Sequence, residues 1–311
     1  AGFIGSNMVK FLLDNTNYTI YAIDNLNNGE TVYKNHLRPL IEQSNERIIF
    51  IPIDYALIEE NTIDWPRDIH AVYHFAATPR VSYSVEHPVE TDNNNIHGTL
   101  CFIEFCKRIR VRRFIFSSSS SVYGNAEIFP TPESTLTNPL SPYALQKRVI
   151  EQYLRLYGNL FYFDSVCLRY FNVYGENQYA ENAYATVISA WIKALLSGES
   201  LRLDGDGTQS RDFTHVEDVC RANFHMSEYP GKLNADVLNV ANGDSISLLQ
   251  IKDILCELHG TETNINYCPT RVGDVQKTQA DITKLKLLNF QTQINIQDGI
   301  KRTYEWYKQQ N

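Results

Sequence analysis

Apolar runs that alternate with helical patterns along the first half of the chain constrain its fold more than any other feature. The runs are rich in β-branched and aromatic residues, as buried strands are, and span residues 18–23, 47–53, 70–75, 114–116 and 163–168. Helical patterns lie between them, for example over residues 98–108 and 142–157. Strands and helices in this order predict an α/β fold with a doubly wound parallel sheet.

The chain begins with two closely spaced glycines, in Ala1-Gly2-Phe3-Ile4-Gly5. They match the end of a Gly-x-x-Gly-x-x-Gly turn, whose backbone can approach a pyrophosphate at a helix N-terminus. We therefore expect residues 2–5 to bind a dinucleotide in a Rossmann-type domain. Because such a turn follows a strand, we also expect the first strand and the first glycine to precede Ala1. The alternative is a native N-terminus with two incidental glycines.

Polar or small residues follow the first three apolar runs. Asp24 ends the first run, where a carboxylate accepts hydrogen bonds from the adenosine ribose and repels a 2′-phosphate, which favours NAD over NADP. Asp54 ends the second run and could meet the adenine amine, although an aspartate that caps a turn would look the same. Ala76 and Ala77 follow the third run, where bulk would collide with a dinucleotide.

Tyr143 and Lys147 form the strongest catalytic signal, in Ser-Pro-Tyr-Ala-Leu-Gln-Lys at residues 141–147. Ser141 can cap a helix that starts at Pro142, which places the tyrosine and the lysine on one helical face. We expect the ammonium and the helix N-terminus to lower the pKa of the phenol and make it a base. The serine run 117–121 follows an apolar strand, so one of its hydroxyls can meet Tyr143.

Composition narrows the partners. The net charge of -8 disfavours nonspecific nucleic-acid binding, so we predict no nucleic-acid partner. No run of 18 apolar residues occurs, so we predict no membrane partner. The six cysteines are scattered without a Cys-x-x-Cys pair, and the eight histidines form no His-x-x-x-His motif. We therefore expect reduced thiols, no bound metal and a cytoplasmic location.

The strand–helix alternation loosens after about residue 175. We therefore predict an NAD-binding Rossmann domain over residues 1–175, with later segments returning to it. Residues 176–311 are predicted to form mainly a smaller C-terminal α/β lobe that holds the substrate.

Several strings identify a resemblance that covers essentially the whole chain. They include AGFIGS at residues 1–6, DNL at 24–26, SSSSVYG at 118–124, LRYFNVYG at 168–175, SRDFTHVEDV at 210–219 and RVGDV at 271–275. The chain resembles the extended short-chain dehydrogenase/reductase family of NAD-dependent epimerases and dehydratases. The stretches 138–147 and 183–198 are most similar to bacterial UDP-N-acetylglucosamine 4-epimerases of polysaccharide gene clusters.

The resemblance implies a role for each matching residue. Tyr143 would be the base, Lys147 its activator and ribose ligand, and Ser119 the catalytic hydroxyl. Beyond this catalytic set, the cofactor would contact residues of the first half, namely Gly2, Phe3, Ile4, Gly5, Asp24, Asn25, Asp54, Ala76, Ala77 and Asn95. The UDP-sugar would contact residues of the second half in addition to Ser119, namely Asn172, Val187, Arg211, Arg271, Asp274 and Thr278.

Thr278 would lie beside the C2 substituent of the sugar. A tyrosine there restricts the pocket to plain hexoses in this family, whereas a small residue admits an N-acetyl group. A surface threonine in a loop is the alternative. Surface salt bridging is likewise the alternative for Arg211 and Arg271, although arginine forks suit a diphosphate.

These implications predict an enzyme that epimerises C4 of a UDP-hexose through a transient 4-keto sugar, with UDP-N-acetylglucosamine and UDP-N-acetylgalactosamine as the favoured pair. UDP-glucose and UDP-uronic acids are the alternative substrates, and a non-catalytic dinucleotide-binding protein is the alternative class. Ser120 and Ser121 supply no acid beside Ser119, which disfavours 4,6-dehydration. Homodimers are common in the family, so a homodimer through the Tyr143 helix and the helix before it is expected, although packing within a monomer would give the same amphipathic pattern.

Overall fold

The structure is a computed structural model that describes residues 1–27, 30–60, 63–178, 186–270 and 275–310. The helices in these ranges are α1 (Phe3–Asn15), α2 (Glu30–Val32), α3 (Arg38–Gln43), α4 (Val81–Glu86), α5 (Pro88–Asp92), α6 (Thr99–Arg108), α7 (Pro142–Phe161), α8 (Val187–Leu196), α9 (Val216–Glu228), α10 (Leu248–His259), α11 (Thr283–Leu287) and α12 (Ile296–Gln310). The strands are β1 (Ile20–Ile23), β2 (Ile48–Ile51), β3 (Val72–His74), β4 (Phe114–Ser119), β5 (Ser165–Tyr170), β6 (Val173–Tyr174), β7 (Leu201–Asp204), β8 (Ser210–Arg211), β9 (Thr214–His215), β10 (Asp236–Val240), β11 (Ile246–Ser247) and β12 (Ile265–Cys268).

Four parallel strands form the central sheet, in the order β10-β5-β4-β3. Val72 lies opposite Phe114 and His74 opposite Phe116 in the β3–β4 pair. Strands β1 and β2 pair in parallel as a second sheet, with Ile20 opposite Ile48. Each of the five predicted runs overlaps a strand, and the α/β fold with a parallel sheet is confirmed. The runs were recognisable because strands covered on both faces carry nearly continuous apolar sequence.

The chain divides into two compact units. The first comprises residues 1–124, 137–169 and 220–238, and the second comprises residues 125–136, 170–219 and 239–311. Each has its own apolar core. Phe102, Phe114 and Ile150 are among the buried side chains of the first core, and Trp191, Leu203 and Ile251 among those of the second. No helix in the described part of the chain combines the length and the apolar character needed to cross a membrane.

Candidate active site

The end of β4 and the start of α7 bring two hydroxyls together in the first unit. A turn of 3-10 helix over Ser120–Tyr123 follows β4 directly and folds back on the strand end. Ser119 Oγ accepts hydrogen bonds from the amide of Ser121 at 3.2 Å and from the hydroxyl of Ser121 at 2.9 Å. These bonds occupy its acceptor positions and leave its own proton available to Tyr143, and the Ser119 hydroxyl acts to lower the pKa of that phenol.

Helix α7 begins as the sequence predicts. Ser141 Oγ accepts a hydrogen bond from the amide of Ala144 at 3.2 Å, and Pro142 occupies the first turn. A second hydroxyl supports this start, because Ser84 Oγ accepts from the amide of Tyr143 at 3.0 Å. Two of the helix's first amides are thus satisfied by side chains, which fixes the entry of the helix and the position of the tyrosine ring.

Burial dominates the electrostatics of Tyr143 and Lys147. It raises the pKa of Tyr143 to about 12, and the hydrogen bond with Ser119 acts in the opposite direction. It lowers the pKa of Lys147 to about 7, while the charge of Glu151 acts to raise it. The expectation that the lysine and the helix N-terminus leave the phenol with a lowered pKa is therefore wrong for this structure. Removal of both groups from water outweighs their attraction.

Lys147 is buried, and no acceptor in the described part of the chain binds its ammonium. Its side chain is almost entirely enclosed, with a relative exposure of 4%. Its Nζ lies 4.8 Å from the ring centre of Phe116 and 5.9 Å from that of Tyr143. Within the described ranges it makes no hydrogen bond or salt bridge. The ammonium therefore has donors available for a ligand hydroxyl beside the Ser119–Tyr143 pair.

The start of α1 fits a dinucleotide pyrophosphate. Gly2 is the N-cap residue and makes no side-chain cap, and the first turn of the helix carries no acidic residue. A Cβ placed on Gly5 would meet no protein atom within 4 Å. Amides at the start of a helix attract an anion, and the open space at Gly5 lets a phosphate approach the backbone. The predicted glycine turn, which includes Phe3 and Ile4, thus offers helix amides and open space to an anion, and its contact with NAD stays a prediction.

The predicted adenosine contacts at the ends of β1 and β2 already take part in local hydrogen bonds. Asp24 Oδ1 accepts from the amide of Leu26 at 2.8 Å, and its Oδ2 lies 2.8 Å from the backbone nitrogen of Ala1. Asp54 Oδ1 accepts from the amide of Ala56 at 2.8 Å, and its Oδ2 accepts from Asn25 Nδ2 at 3.1 Å. Asp54 therefore caps the turn after β2, and its contact with the adenine amine stays a prediction.

Asn95 holds the loop that follows β3. Its Oδ1 accepts from the amide of Thr78 at 2.7 Å, and its Nδ2 donates to Thr78 O at 3.1 Å and to Gln146 Oε1 at 2.8 Å. Ala76 and Ala77 lie in this loop, half-buried. The amide group of Asn95 thus supports the predicted cofactor-contacting loop through protein hydrogen bonds.

Asn172 and Thr278 meet in the second unit. Asn172 has a left-handed backbone with φ of 31°, and its Nδ2 donates to Thr278 Oγ1 at 3.1 Å and to Asp212 O at 3.0 Å. Thr278 Oγ1 also accepts from the amide of Asp212 at 3.1 Å. Burial raises the pKa of Asp212 to about 7, although three backbone amides donate to its carboxylate.

The other predicted substrate residues of the second unit are placed as follows. Arg211 lies half-buried on β8, where its Nη1 donates to Ser210 O at 2.9 Å. Val187 is the first residue of α8 and is half-buried. Arg271 and Asp274 lie outside the described residues.

Three residues of the first unit support the site without having been singled out from the sequence. Ser121 orients Ser119, Ser84 fixes the start of α7, and Glu151 pairs with Arg148 and Arg169. Ser121 stood within the serine run, and Glu151 stands one helical turn beyond Lys147. Helical spacing alone would have drawn attention to Glu151, whereas nothing in the local sequence points to Ser84.

Comparison with known proteins yields one family and several related structures. Residues 1–241 match the model of the NAD dependent epimerase/dehydratase family. A UDP-N-acetylglucosamine 4-epimerase from Methanobrevibacter ruminantium, solved with UDP-N-acetylmuramic acid, is 34% identical with a TM-score of 0.89, covering 100% of this chain and 96% of that one. A UDP-glucose 4-epimerase from Thermotoga maritima, solved with UDP-glucose, is 31% identical with a TM-score of 0.88, covering 100% and 97%. A UDP-glucuronic acid 4-epimerase from Bacillus cereus, solved with UDP-glucuronic acid and NAD, is 32% identical with a TM-score of 0.89, covering 100% and 97%.

Proposed function

This chain belongs to the NAD dependent epimerase/dehydratase family, and we propose from that premise that it catalyses the C4 epimerisation of a UDP-sugar. The predicted family, the Rossmann-type fold, the enzyme class and the NAD cofactor are confirmed by the same membership. The observation that carries the proposal is the Ser119 hydroxyl beside Tyr143, where it acts to lower the pKa of the phenol, with the buried ammonium of Lys147 one helical turn further on.

The proposed reaction uses these three side chains in sequence. Tyr143, as phenolate, takes the proton of the sugar 4-hydroxyl, while Ser119 donates a hydrogen bond to the same oxygen. Bound NAD+ would accept the hydride from C4 and later return it to the opposite face. Because burial raises the pKa of Tyr143, the phenolate needs a positive charge nearby, which Lys147 supplies when it is protonated. Tyr143 returns the proton to the 4-keto sugar after the sugar has turned.

The nucleotide would anchor the substrate while the sugar turns. Asn172 and Arg211 are proposed to hold the diphosphate, together with Arg271, and Asp274 the uridine ribose. A large and charged anchor supplies binding energy remote from the reacting carbon, so the small sugar can rotate without leaving the enzyme.

UDP-N-acetylglucosamine and UDP-N-acetylgalactosamine are the proposed substrate pair. Thr278 is small, which leaves room beside the C2 substituent, and the relative from Methanobrevibacter ruminantium carries the corresponding name. UDP-glucose and UDP-glucuronate are the second candidates, because related structures bind those sugars. Dehydration is disfavoured, since the hydroxyls of Ser120 and Ser121 cannot act as the acid that would eliminate water.

A homodimer is proposed as the working form. The end of α7 exposes Leu156, Leu160 and Phe161, with relative exposures of 47%, 59% and 48%, which is an apolar strip that a second copy would cover. Light scattering on the purified protein tests this, with a monomer at micromolar concentration as the contradicting result.

Incubation with each UDP-sugar, followed by proton NMR of the products, tests the function. We expect interconversion of UDP-N-acetylglucosamine and UDP-N-acetylgalactosamine. Conversion of UDP-glucose or UDP-glucuronate alone would keep the reaction and change the substrate, and a 4-keto-6-deoxy product would make the enzyme a dehydratase. The Tyr143→Phe variant should lose about 10²- to 10⁴-fold in turnover while it still binds UDP. Full activity of that variant would contradict the assignment, and NAD binding without turnover of any sugar would favour the non-catalytic class.

A further inference from the structure

A buried carboxylate joins three elements of the first unit behind the catalytic residues. Glu151 on α7 has a relative exposure of 2%. Its Oε1 accepts from Ser118 Oγ at 2.6 Å and from Arg169 Nε at 2.8 Å, and its Oε2 accepts from Arg169 Nη2 at 2.7 Å and from Arg148 Nη1 at 3.0 Å. One carboxylate thereby links β4, β5 and α7.

This carboxylate contacts the residue before Ser119 and lies one helical turn beyond Lys147. Ser118 directly precedes Ser119 on β4, so the bond from Ser118 to Glu151 holds the strand end that presents the catalytic hydroxyl. Lys147 and Glu151 are four residues apart on α7 and therefore lie on the same helical face. Tyr143, Lys147 and Glu151 thus follow one another along a single face at successive turns.

The charges around Lys147 leave Glu151 as its negative neighbour within the described residues. The surrounding titratable and charged groups are Tyr143, Arg148 and Glu151 on α7, His74 on β3 and Arg169 on β5. His74 is neutral near pH 7, because burial lowers its pKa to about 3. The two arginines are bound to the carboxylate itself. The negative charge of Glu151 acts to raise the pKa of Lys147, against the larger effect of burial.

We propose that Glu151 is a positioning residue that keeps the Lys147 ammonium charged and holds the Ser119 strand end against α7. It touches neither cofactor nor substrate in this role and acts through its two neighbours. The inference deepens the proposed function and rests on it only in taking Lys147 as a ligand of the cofactor ribose. Loss of the carboxylate charge should make Lys147 lose its proton at a lower pH, and cofactor binding should fail at that lower pH as well.

The test measures NADH binding by cofactor fluorescence across a pH series, in the wild type and in Glu151→Gln. Glutamine keeps the shape of the side chain and removes its charge. We expect the pH midpoint at which binding is lost on the alkaline side to fall by about one unit, the lower end of the shift that a nearby opposite charge produces. An unchanged midpoint in a folded variant would overturn the proposal.

Asp164→Asn is the matched control. Asp164 Oδ2 accepts from Arg113 Nε at 2.9 Å and from Arg113 Nη2 at 2.7 Å, so it is a second enclosed arginine–carboxylate pair of the same unit. This variant should lose thermal stability while its binding midpoint stays at the wild-type value. A midpoint that moves as far as in Glu151→Gln would show a general effect of destabilisation and would overturn the proposal.

Arg148→Met tests the same charge effect in the opposite direction, and it keeps the proposal testable if Glu151→Gln does not fold. Arg148 is partly exposed and donates a single hydrogen bond to Glu151, so its removal leaves more of the carboxylate charge to act on Lys147. The binding midpoint should then rise. A midpoint that falls or stays in place would overturn the proposal. NADH binding needs no sugar, so the two proposals can fail separately. A shifted midpoint without epimerisation would reject the proposed function and keep this inference. Epimerisation with unshifted midpoints would reject this inference and keep the proposed function.

Discussion

Asn172 Nδ2 donates a hydrogen bond to Thr278 Oγ1 across 3.1 Å, although the two residues are 106 positions apart in the chain. The proposed gate residue therefore also holds the side chain proposed to bind the diphosphate. Asn172 needs this support, because its φ of 31° places it in the left-handed region that residues other than glycine rarely adopt. The small size of Thr278 and its hydroxyl thus have separate proposed roles, and mutation can distinguish them.

Thr278→Tyr should exclude the N-acetyl substrates by bulk. We expect activity on UDP-N-acetylglucosamine to fall at least about tenfold more than activity on UDP-glucose, since a steric clash is specific to the larger substituent. Thr278→Val removes the hydroxyl at nearly constant size and should weaken both sugars equally, whereas Thr278→Ser should retain activity. Values of kcat/KM for the two sugars decide the matter, and equal losses in Thr278→Tyr would contradict the gate.

Gly5→Ala should stabilise the protein and weaken cofactor binding. A Cβ at this position meets no protein atom within 4 Å, and alanine in a helix is favoured over glycine by roughly 0.5–1 kcal/mol. The same methyl group would occupy the space through which a pyrophosphate approaches the backbone. Gly158→Ala in α7 is the control, because its Cβ would make an ordinary contact of 3.6 Å with Phe163 O. Calorimetric titration with NAD should show weaker binding in Gly5→Ala alone, and equal affinity in all three proteins would remove the glycine turn from the cofactor site.

Arg211→Ala should weaken UDP binding by about 10- to 100-fold, the range expected when a hydrogen bond to a charged group is lost. Arg202→Ala is the matched control in the same unit, since Arg202 is 67% exposed and pairs with Asp204. Isothermal titration with UDP measures both. If the two variants bind UDP alike, Arg211 has a surface role and the diphosphate is held elsewhere.

His74 should make stability depend on pH. Its ring packs against Tyr55, Phe102 and Phe116, and burial lowers its pKa from 6.5 to about 3. Below about pH 6.5 the unfolded chain binds a proton at His74 that the folded protein does not. The free energy of unfolding therefore decreases as the pH is lowered from about 6.5 to about 3. The His74 contribution to this slope is about 1.4 kcal/mol per pH unit. Urea unfolding at pH 7 and at pH 5 measures this. The wild type should lose more unfolding free energy between the two pH values than His74→Phe does, and equal losses in the two proteins would contradict the prediction.

The sequence predicted those parts of the site that depend on residues close together in the chain. Ser141 and Pro142 start α7 as expected, because a cap needs a hydroxyl only three residues from the amide that it binds. The rule that parallel strands present ligands at their carboxyl ends predicted that a hydroxyl of the serine run would meet Tyr143, and the family resemblance singled out Ser119 within that run. Both arguments require only local patterns and the order of the elements.

Long-range pairing could not be predicted in the same way. The contact of Asn172 with Thr278, and that of Glu151 with Arg169, join separate elements whose register the sequence does not specify. The pKa of Tyr143 was misjudged for a related reason, because the extent of its burial depends on packing from several elements at once. Helical spacing indicates that a lysine is near a tyrosine, but it does not indicate how little water surrounds them.

An ammonium enclosed without a protein acceptor is unfavourable for the folded state, and Lys147 is such a group within the described ranges. Methionine would fill the same volume without the charge. Laboratory evolution that rewards heat resistance alone is therefore expected to replace Lys147 early, and the resulting proteins should melt at higher temperature and turn over no substrate. Thermal stability and catalytic activity make opposite demands on this position, so a selection for stability has to select for turnover at every round as well.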